Sequence, residues 1–283
     1  MMRKDCRIHV LYSGSGGNST FIRVGESAIL IDAGKSARAL CNALCEIGEC
    51  ISGVDAIFIT HEHTDHVSAL EIIAKKNNIP IYMTDASAKK FDAVCGSPVH
   101  SRLCRCDVEF CVTVGEMTVR SFRTSHDSRM SVGYRIEFPD GDETRAVGYA
   151  TDVGYVSDTV RENLLGCDAV VIESNHDVDM LMTGPYPRDL KQRVASRRGH
   201  LSNRDCADLA AVLAENGTRS FMLAHLSKEN NQPEIAYDET VGAVSGSGAA
   251  VFVAHPDRPV ELMLDGKEND SYDEREIYNP WNA

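Results

Sequence analysis

No apolar run in this 283-residue chain approaches the roughly 18 residues that a membrane-spanning helix requires; runs such as 28–31 and 249–254 are far shorter. A soluble protein is expected. Aromatic residues are scarce, at 6% with a single Trp, and they are not interleaved with basic residues in the way that reads single-stranded bases by stacking. Positive charge is in deficit: 29 Lys and Arg face 42 Asp and Glu, for a formal net charge of -13. That excludes a protein that coats nucleic acid or anionic membrane by bulk attraction, so any polyanion must be met locally. The N-terminus reaches Asp5 and His9 before an apolar stretch can form and does not read as a secretory signal. A cytoplasmic location is therefore expected. Ten cysteines are present, yet none is spaced as CxxC; in a chain of this length that favours free thiols over disulfides or a zinc cluster.

What remains is an ordinary globular composition, 43% hydrophobic and 25% charged. A chain this long can bury roughly three quarters of its unfolded surface. No Pro/Ser-rich linker or low-complexity tract divides it, so one domain is read over 1–256, followed by an acidic, polar tail over 257–283. Short β-branched and aromatic runs bounded by Gly, Asp or Ser (IHVLY, STFIRV, AILID, AIFIT, IPIYM, MTVRSF, VGYRIEF, AVGYAT, AVVIES, SFMLA, AVFVA) read as strands. Apolar residues recur at helical spacing over 36–47, 67–77, 156–165 and 202–215. So many strands, arriving in clusters, are too many for a doubly wound parallel sheet. Two packed mixed sheets with helices outside fit better.

The chemistry concentrates at His61-Glu62-His63-Thr64-Asp65-His66, directly after the strand at 56–60. Core histidines with satisfied hydrogen bonds do not come three in six residues, and a solvated loop has no need of imidazole. On an extended or turning backbone, residues two apart project the same way. His61 and His63 can thus converge on one metal while Asp65 and His66 reach a second. Imidazole nitrogen and carboxylate oxygen suit Zn, Mn or Fe(II). Two ions about 3.5–4 Å apart would hold a hydroxide between them and clamp the oxygens of an attacked ester. Further ligands are needed, and His126 in RTSHDS, Asp152 in YATDVG and His225 in FMLAHLS each follow a strand.

In these residues and their order, from Asp32 in AILIDAG through the HxHxDH segment to His126, Asp152 and His225, the chain resembles the metallo-β-lactamase superfamily. The resemblance implies an α/β fold, the four-layer αββα sandwich of two mixed β-sheets flanked by helices, with a site for two divalent metal ions (Zn, Mn or Fe) at the sheet edge. It implies that His61, His63 and His126 hold one ion, that Asp65, His66 and His225 hold the other, and that Asp152 bridges them. Asp32 is implied to orient a ligand from behind. True class B β-lactamases typically carry Cys where this chain has Asp152, a departure that favours the phosphodiesterase, nuclease and thioesterase branches.

A finer resemblance, to the YycJ (WalJ) group of bacterial proteins, is carried by LYSGSGGNSTFI, GYATDVGYV, VIESNHDVDML, RGHLSN and LAHLSKENN. It implies a metal-dependent phosphodiester hydrolase with 5′-to-3′ exonuclease activity on DNA, and RNA stays open as a substrate. The alternative is hydrolysis of a small thioester, lactone or cyclic phosphodiester. By resemblance to RNA-processing branches, Glu173 and His200 join Asp65 as catalytic candidates. A His held by Glu keeps its proton until a leaving oxygen needs it; the plainer reading is that Glu173 caps a loop and His200 the following helix. His176 is left between aiding the site and ordering the loop. Arg188, Lys191, Arg193, Arg197 and Arg198 lie just before His200. They read either as a solvated face or as a grip on nucleic-acid backbone, which Arg123 and Arg129 would extend. SGSGGNS at 13–19 lacks GK[ST] and reads as a turn between strands, not a P-loop.

Overall fold

In the computed structural model, which describes residues 6–93 and 99–265, two seven-stranded mixed sheets pack face to face with helices on both outer surfaces. The first sheet contains β1 (Cys6–Tyr12), β2 (Ser19–Val24), β3 (Ser27–Ile31), β4 (Ala56–Phe58), β5 (Ile81–Thr84) and β6 (Leu103–Cys106). The second contains β7 (Cys111–Val114), β8 (Met117–Arg123), β9 (Val132–Asp140), β10 (Glu143–Ala150), β11 (Ala169–Glu173), β12 (Ser220–Ala224) and β13 (Ala250–Val253). The chain then returns to the first sheet, where β14 (Val260–Leu262) pairs antiparallel with β1. β14 lies within the stretch read from the sequence as the start of the tail; residues 266–283 of that stretch lie outside the described residues. This is the expected αββα sandwich.

Side-chain alternation explains the three core layers. Ile29 and Ile31 of β3, Val171 of β11 and Met222 of β12 point between the sheets. Their neighbours Leu30, Val170 and Leu223 point outward under the helices. Strands buried on both faces read as continuous apolar runs, hence AVVIE and SFMLA. Helices α1 (Ala37–Glu46), α2 (Thr64–Val67), α3 (Leu70–Lys76) and α4 (Asp85–Asp92) belong to the first half of the chain. The second half supplies α5 (Asp158–Leu164), α6 (Val178–Thr183), α7 (Arg188–Val194), α8 (Asn203–Glu215) and α9 (Pro233–Ala243). Among the described residues no helix is long and apolar enough to cross a membrane.

The strands outside the eleven runs read from the sequence, β6, β7 and β14, are short and half-exposed, so their apolar alternation is weak. The helix expected over 67–77 begins only at Leu70, as α3, and the short turn α2 precedes it as a separate element. The Asp65 and His66 carbonyls accept Asn18 N and Ala33 N, both at 2.8 Å, while Ala69 N turns away to the Ala33 carbonyl at 2.9 Å. The helix loses its ladder at that point.

Candidate metal centre

Strand direction assembles the site. β3, β4 and β5 are mutually parallel, as are β10, β11 and β12, and β8 runs the same way as β10 through the antiparallel β9 between them. Their C-terminal ends therefore share one edge of each sheet. Asp32 follows β3, His61 follows β4, His126 follows β8, Asp152 follows β10, Glu173 ends β11 and His225 follows β12. Ligands commonly bind outside the carboxyl ends of parallel strands for this topological reason. The register of β11 against β12 sets Glu173 opposite Ala224, one residue before His225.

Three of these residues have left-handed backbone: Asp32 at φ 62°, Asp152 at φ 56° and His225 at φ 58°. Each costs on the order of 1–3 kcal/mol for a non-Gly residue and persists only where the surroundings over-determine it. For His225 they do. Its N–H donates to Ser13 Oγ at 2.7 Å and its carbonyl accepts from Asn175 Nδ2 at 2.7 Å. For Asp32, the N–H donates to the Phe58 carbonyl and the carbonyl accepts from Ser19 Oγ, both at 2.8 Å.

The side chains expected to act together are brought together. His61 Nε2 and His63 Nδ1 are 2.9 Å apart, and the His126 ring centroid lies 5.0 and 5.1 Å from theirs. Donor atoms of His61, His63 and His126 lie within 4.8 Å of one another, and those of Asp65, His66 and His225 form a second such group. Asp152 stands between them, with Oδ2 3.3 Å from His66 Nε2 and Oδ1 3.5 Å from His126 Nε2. Asp65 Oδ2 lies 3.3 Å from His66 Nε2 and 3.8 Å from His225 Nε2. Buried Asp152 Oδ2 and His225 Nε2 have no hydrogen-bond partner among the described residues. Buried polar atoms are rarely left so, and a divalent cation is what this set of nitrogen and oxygen donors fits.

Outer hydrogen bonds fix which ring nitrogen faces inward. Asp32, fully buried, accepts from Thr60 N through Oδ1 and meets His66 Nδ1 through Oδ2, both at 2.8 Å, leaving His66 Nε2 toward Asp152. His126 Nδ1 donates to the Gly199 carbonyl at 3.1 Å. Burial, with the neighbouring His66, drives the His61 pKa well down, so its ring is neutral and able to ligate. Burial opposes charging His66, yet Asp32 and Asp152 outweigh it and raise its pKa well above the ordinary value. The same contest at His225 is won by Asp152, Asp65 and Glu173. Asp152 is itself held well below the carboxylate range, because His225 and His66 overcome the effect of burial.

Glu173 is fully buried and accepts four hydrogen bonds. Its Oε1 meets His200 Nδ1 at 2.8 Å and His225 Nδ1 at 2.9 Å; its Oε2 accepts from Val153 N at 2.7 Å and Leu201 N at 3.1 Å. Burial raises its pKa, but the two imidazoles prevail and bring it to about 2. Helix α8 is capped by Ser202, not by His200. His176 bridges Ser202 through its backbone, ordering that loop, and its Nδ1 is buried without a partner among the described residues.

Asn18 and Ser13 escaped the sequence reading. Fully buried Asn18 places Nδ2 3.3 Å from Asp65 Oδ2 and 3.2 Å from His66 Nε2, so the Gly-rich loop is a wall of the site. The only signal was an amide among glycines. The basic run does not form one patch. Arg193 pairs with Asp127 at 2.6 Å, Arg197 lies 3.7 Å over the Tyr155 ring, Lys191 donates to the Met182 carbonyl, and Arg198 donates to the His126 carbonyl at 3.4 Å. Arg188 and Lys191 share an outer groove with Met182. Arg193, Tyr186 and Lys228 line a cleft of about 400 Å³ that reaches His200 and His225.

The Beta-lactamase superfamily domain matches residues 27–226, which span every residue of the cluster. The chain belongs to this superfamily. Exodeoxyribonuclease YycJ of Bacillus anthracis is 36% identical over 228 residues, covering 80% of this chain and 84% of that one. Exodeoxyribonuclease WalJ of Streptococcus pneumoniae serotype 2 is 35% identical over 246 residues, covering 86% and 90%. Among solved structures, the metallo-beta-lactamase fold protein YhfI of Bacillus subtilis superposes with a TM-score of 0.67 at 19% identity, covering 90% of this chain and 98% of that one. As a member of the superfamily with its Asp and His residues clustered at the sheet edge, the chain is a metal-dependent hydrolase.

Proposed function

We propose that this superfamily member is a 5′-to-3′ exodeoxyribonuclease that hydrolyses phosphodiesters with two divalent ions, Zn, Mn or Fe. The observation that carries the reading is a buried His and carboxylate cluster reached by a cleft lined with Arg193, Lys228 and Glu229, in a chain whose net charge is -13. Cations beside the cluster can receive a polyanion that the rest of the surface repels. The names of the two relatives favour DNA over a small ester.

His61, His63 and His126 would hold one ion, Asp65, His66 and His225 the second, with Asp152 between them. When bound, such ions acidify water to a nucleophile and offset charge on the phosphate oxygens. The chain's own residues do the rest. Asp32 and the Gly199 carbonyl orient His66 and His126. Asp65 takes up the proton that the attacking water releases as the phosphorus–oxygen bond forms. Glu173 keeps the His200 pKa above its ordinary value against the effect of burial, so His200 enters the reaction protonated. Its Nδ1 is engaged by Glu173, and the Nε2 proton is the one available to the leaving 3′ oxygen as the P–O bond breaks. Of the basic run, Arg193 and Arg198, which line the cavities that reach the cluster's histidines, steady the strand through its backbone.

Purified protein with Mn²⁺ or Zn²⁺ is expected to degrade 5′-labelled duplex DNA progressively from the 5′ end, and Asp65→Ala to abolish this. Hydrolysis of small thioesters or lactones with polynucleotides untouched would overturn the reading. His200→Ala should keep its metal and lose turnover; matching loss of metal would remove His200 from proton transfer.

A further inference from the structure

A second cavity, of about 620 Å³, opens beside His126. Arg123, Arg129, Arg198, Ser128 and Tyr155 line it together with His126, and no carboxylate is among its lining residues. Several arginines elsewhere in this acidic chain are paired, among them Arg23 with Glu49, Arg135 with Glu137, Arg145 with Asp168 and Arg161 with Asp158. Among the described residues, Arg123, Arg129 and Arg198 form no ion pair with a carboxylate. Ser128 Oγ is buried and has no hydrogen-bond partner there either. The walls are fixed. Glu62, the middle residue of the HEH segment, points away from the cluster, accepting from Arg129 N at 2.9 Å and from Ser87 Oγ at 2.7 Å. Gly154 N donates to the Ser125 carbonyl at 2.7 Å, and Ser125 Oγ to the Arg197 carbonyl at 2.6 Å.

Three guanidinium groups without countercharges around a recess create a positive potential that an anion relieves, and the planar fork of Arg suits phosphate oxygens. Through His126 the recess adjoins the His61 and His63 end of the cluster. We infer that this cavity is an anion subsite that takes a non-scissile phosphate of the strand while the scissile one lies at the cluster. This deepens the nuclease reading and rests on it. Arg123, Arg129 and Arg198 bind the phosphate, and Ser128 donates to it.

The test uses metal-loaded protein and a 3′-fluorescent oligothymidylate with cleavage-resistant phosphorothioate linkages, prepared with a 5′-phosphate and with a 5′-hydroxyl. Arg123→Ala and Arg129→Ala are each expected to weaken binding about tenfold at 0.1 M salt and to flatten the plot of log affinity against log salt by about 0.7. Arg219→Ala removes the same charge just before β12, at the opposite end of that strand from His225, and should bind as the wild type does. A loss confined to the 5′-phosphorylated strand identifies a terminal monoester as the ligand; an equal loss on both identifies an internal diester. Either result upholds the subsite. Unchanged binding in the Arg123→Ala/Arg129→Ala double variant, with wild-type metal content and melting, overturns it, and continued degradation of DNA would leave the nuclease reading standing. If the wild type binds the oligonucleotide, the double variant does not, and no polynucleotide is cut, the cavity stands as an anion site while its place beside a scissile phosphate falls with the nuclease reading.

Discussion

Glu173→Gln isolates hydrogen-bond polarity from packing, because the substitution preserves volume while exchanging one acceptor oxygen for a donor. If the amide oxygen keeps Val153 N and Leu201 N, the NH₂ group faces His200 Nδ1 and His225 Nδ1, which now meet Glu173 Oε1 at 2.8 and 2.9 Å. Each imidazole must then accept at Nδ1 and carry its proton on Nε2. For His225 that is the atom turned toward Asp65, so a ligand lone pair is lost. The opposite amide orientation sets NH₂ against two backbone donors, which is no better. Two hydrogen bonds to a charged group are lost, worth about 1.5–3 kcal/mol each, with part recovered through new N–H···N bonds. The expected net effect is a 10–100-fold fall in affinity for one of the two ions, the range typical of outer partners of metal ligands. Metal retained after dialysis against graded chelator, with turnover followed in parallel, measures it. Wild-type metal affinity and turnover in a folded Glu173→Gln protein would refute the argument that this carboxylate sets both ring orientations.

Further consequences follow from contacts around the same edge. A Cβ on Gly34 would stand 1.9 Å from the Asp65 carbonyl, so Gly34→Ala should displace α2, cost about 1–3 kcal/mol in thermal unfolding and weaken metal binding; a neutral melt would show that α2 moves freely. Tyr134→Phe deletes the 2.6 Å hydrogen bond from the second sheet to the Ile59 carbonyl, leaving that acceptor buried, and should lose about 1–3 kcal/mol in urea melts at unchanged slope. Burial pushes the Cys167 and Cys206 thiols up to about 12, while a hydrogen bond with Ser52 lowers that of exposed Cys50. At pH 8 a thiol reagent should therefore modify Cys50 quickly and reach Cys167 and Cys206 only in denaturant, where their pKa values fall back and thiolate forms; mass mapping of native labelling checks this.

Much of the fold was legible because its strands carry their own pattern. The two-faced burial of AVVIE and SFMLA and the alternation in VGYRIEF announce themselves over a few residues. The helix around 67–77 was legible, but the break that sets it apart from α2 was not. The break depends on Asn18 and Ala33, which reach the Asp65 and His66 carbonyls only after the first sheet has formed. The basic run shows the same limit. Five cations close in sequence are dispersed by the fold to Asp127, the Tyr155 ring, two carbonyls and an outer groove.

By itself the sequence determined what the chain's local geometry can express: donors two residues apart at 61–66, and acidic and imidazole residues placed just after strands. Only the tertiary structure decided that Asp32, His126, Asp152, Glu173 and His225 meet, that Asn18 and Ser13 stand behind them, and that Arg123, Arg129 and Arg198 surround one cavity. The reason is physical. A motif's spacing is fixed by bond lengths and dihedral angles, whereas convergence across the chain depends on strand order and register, which the packing of two sheets settles as a whole.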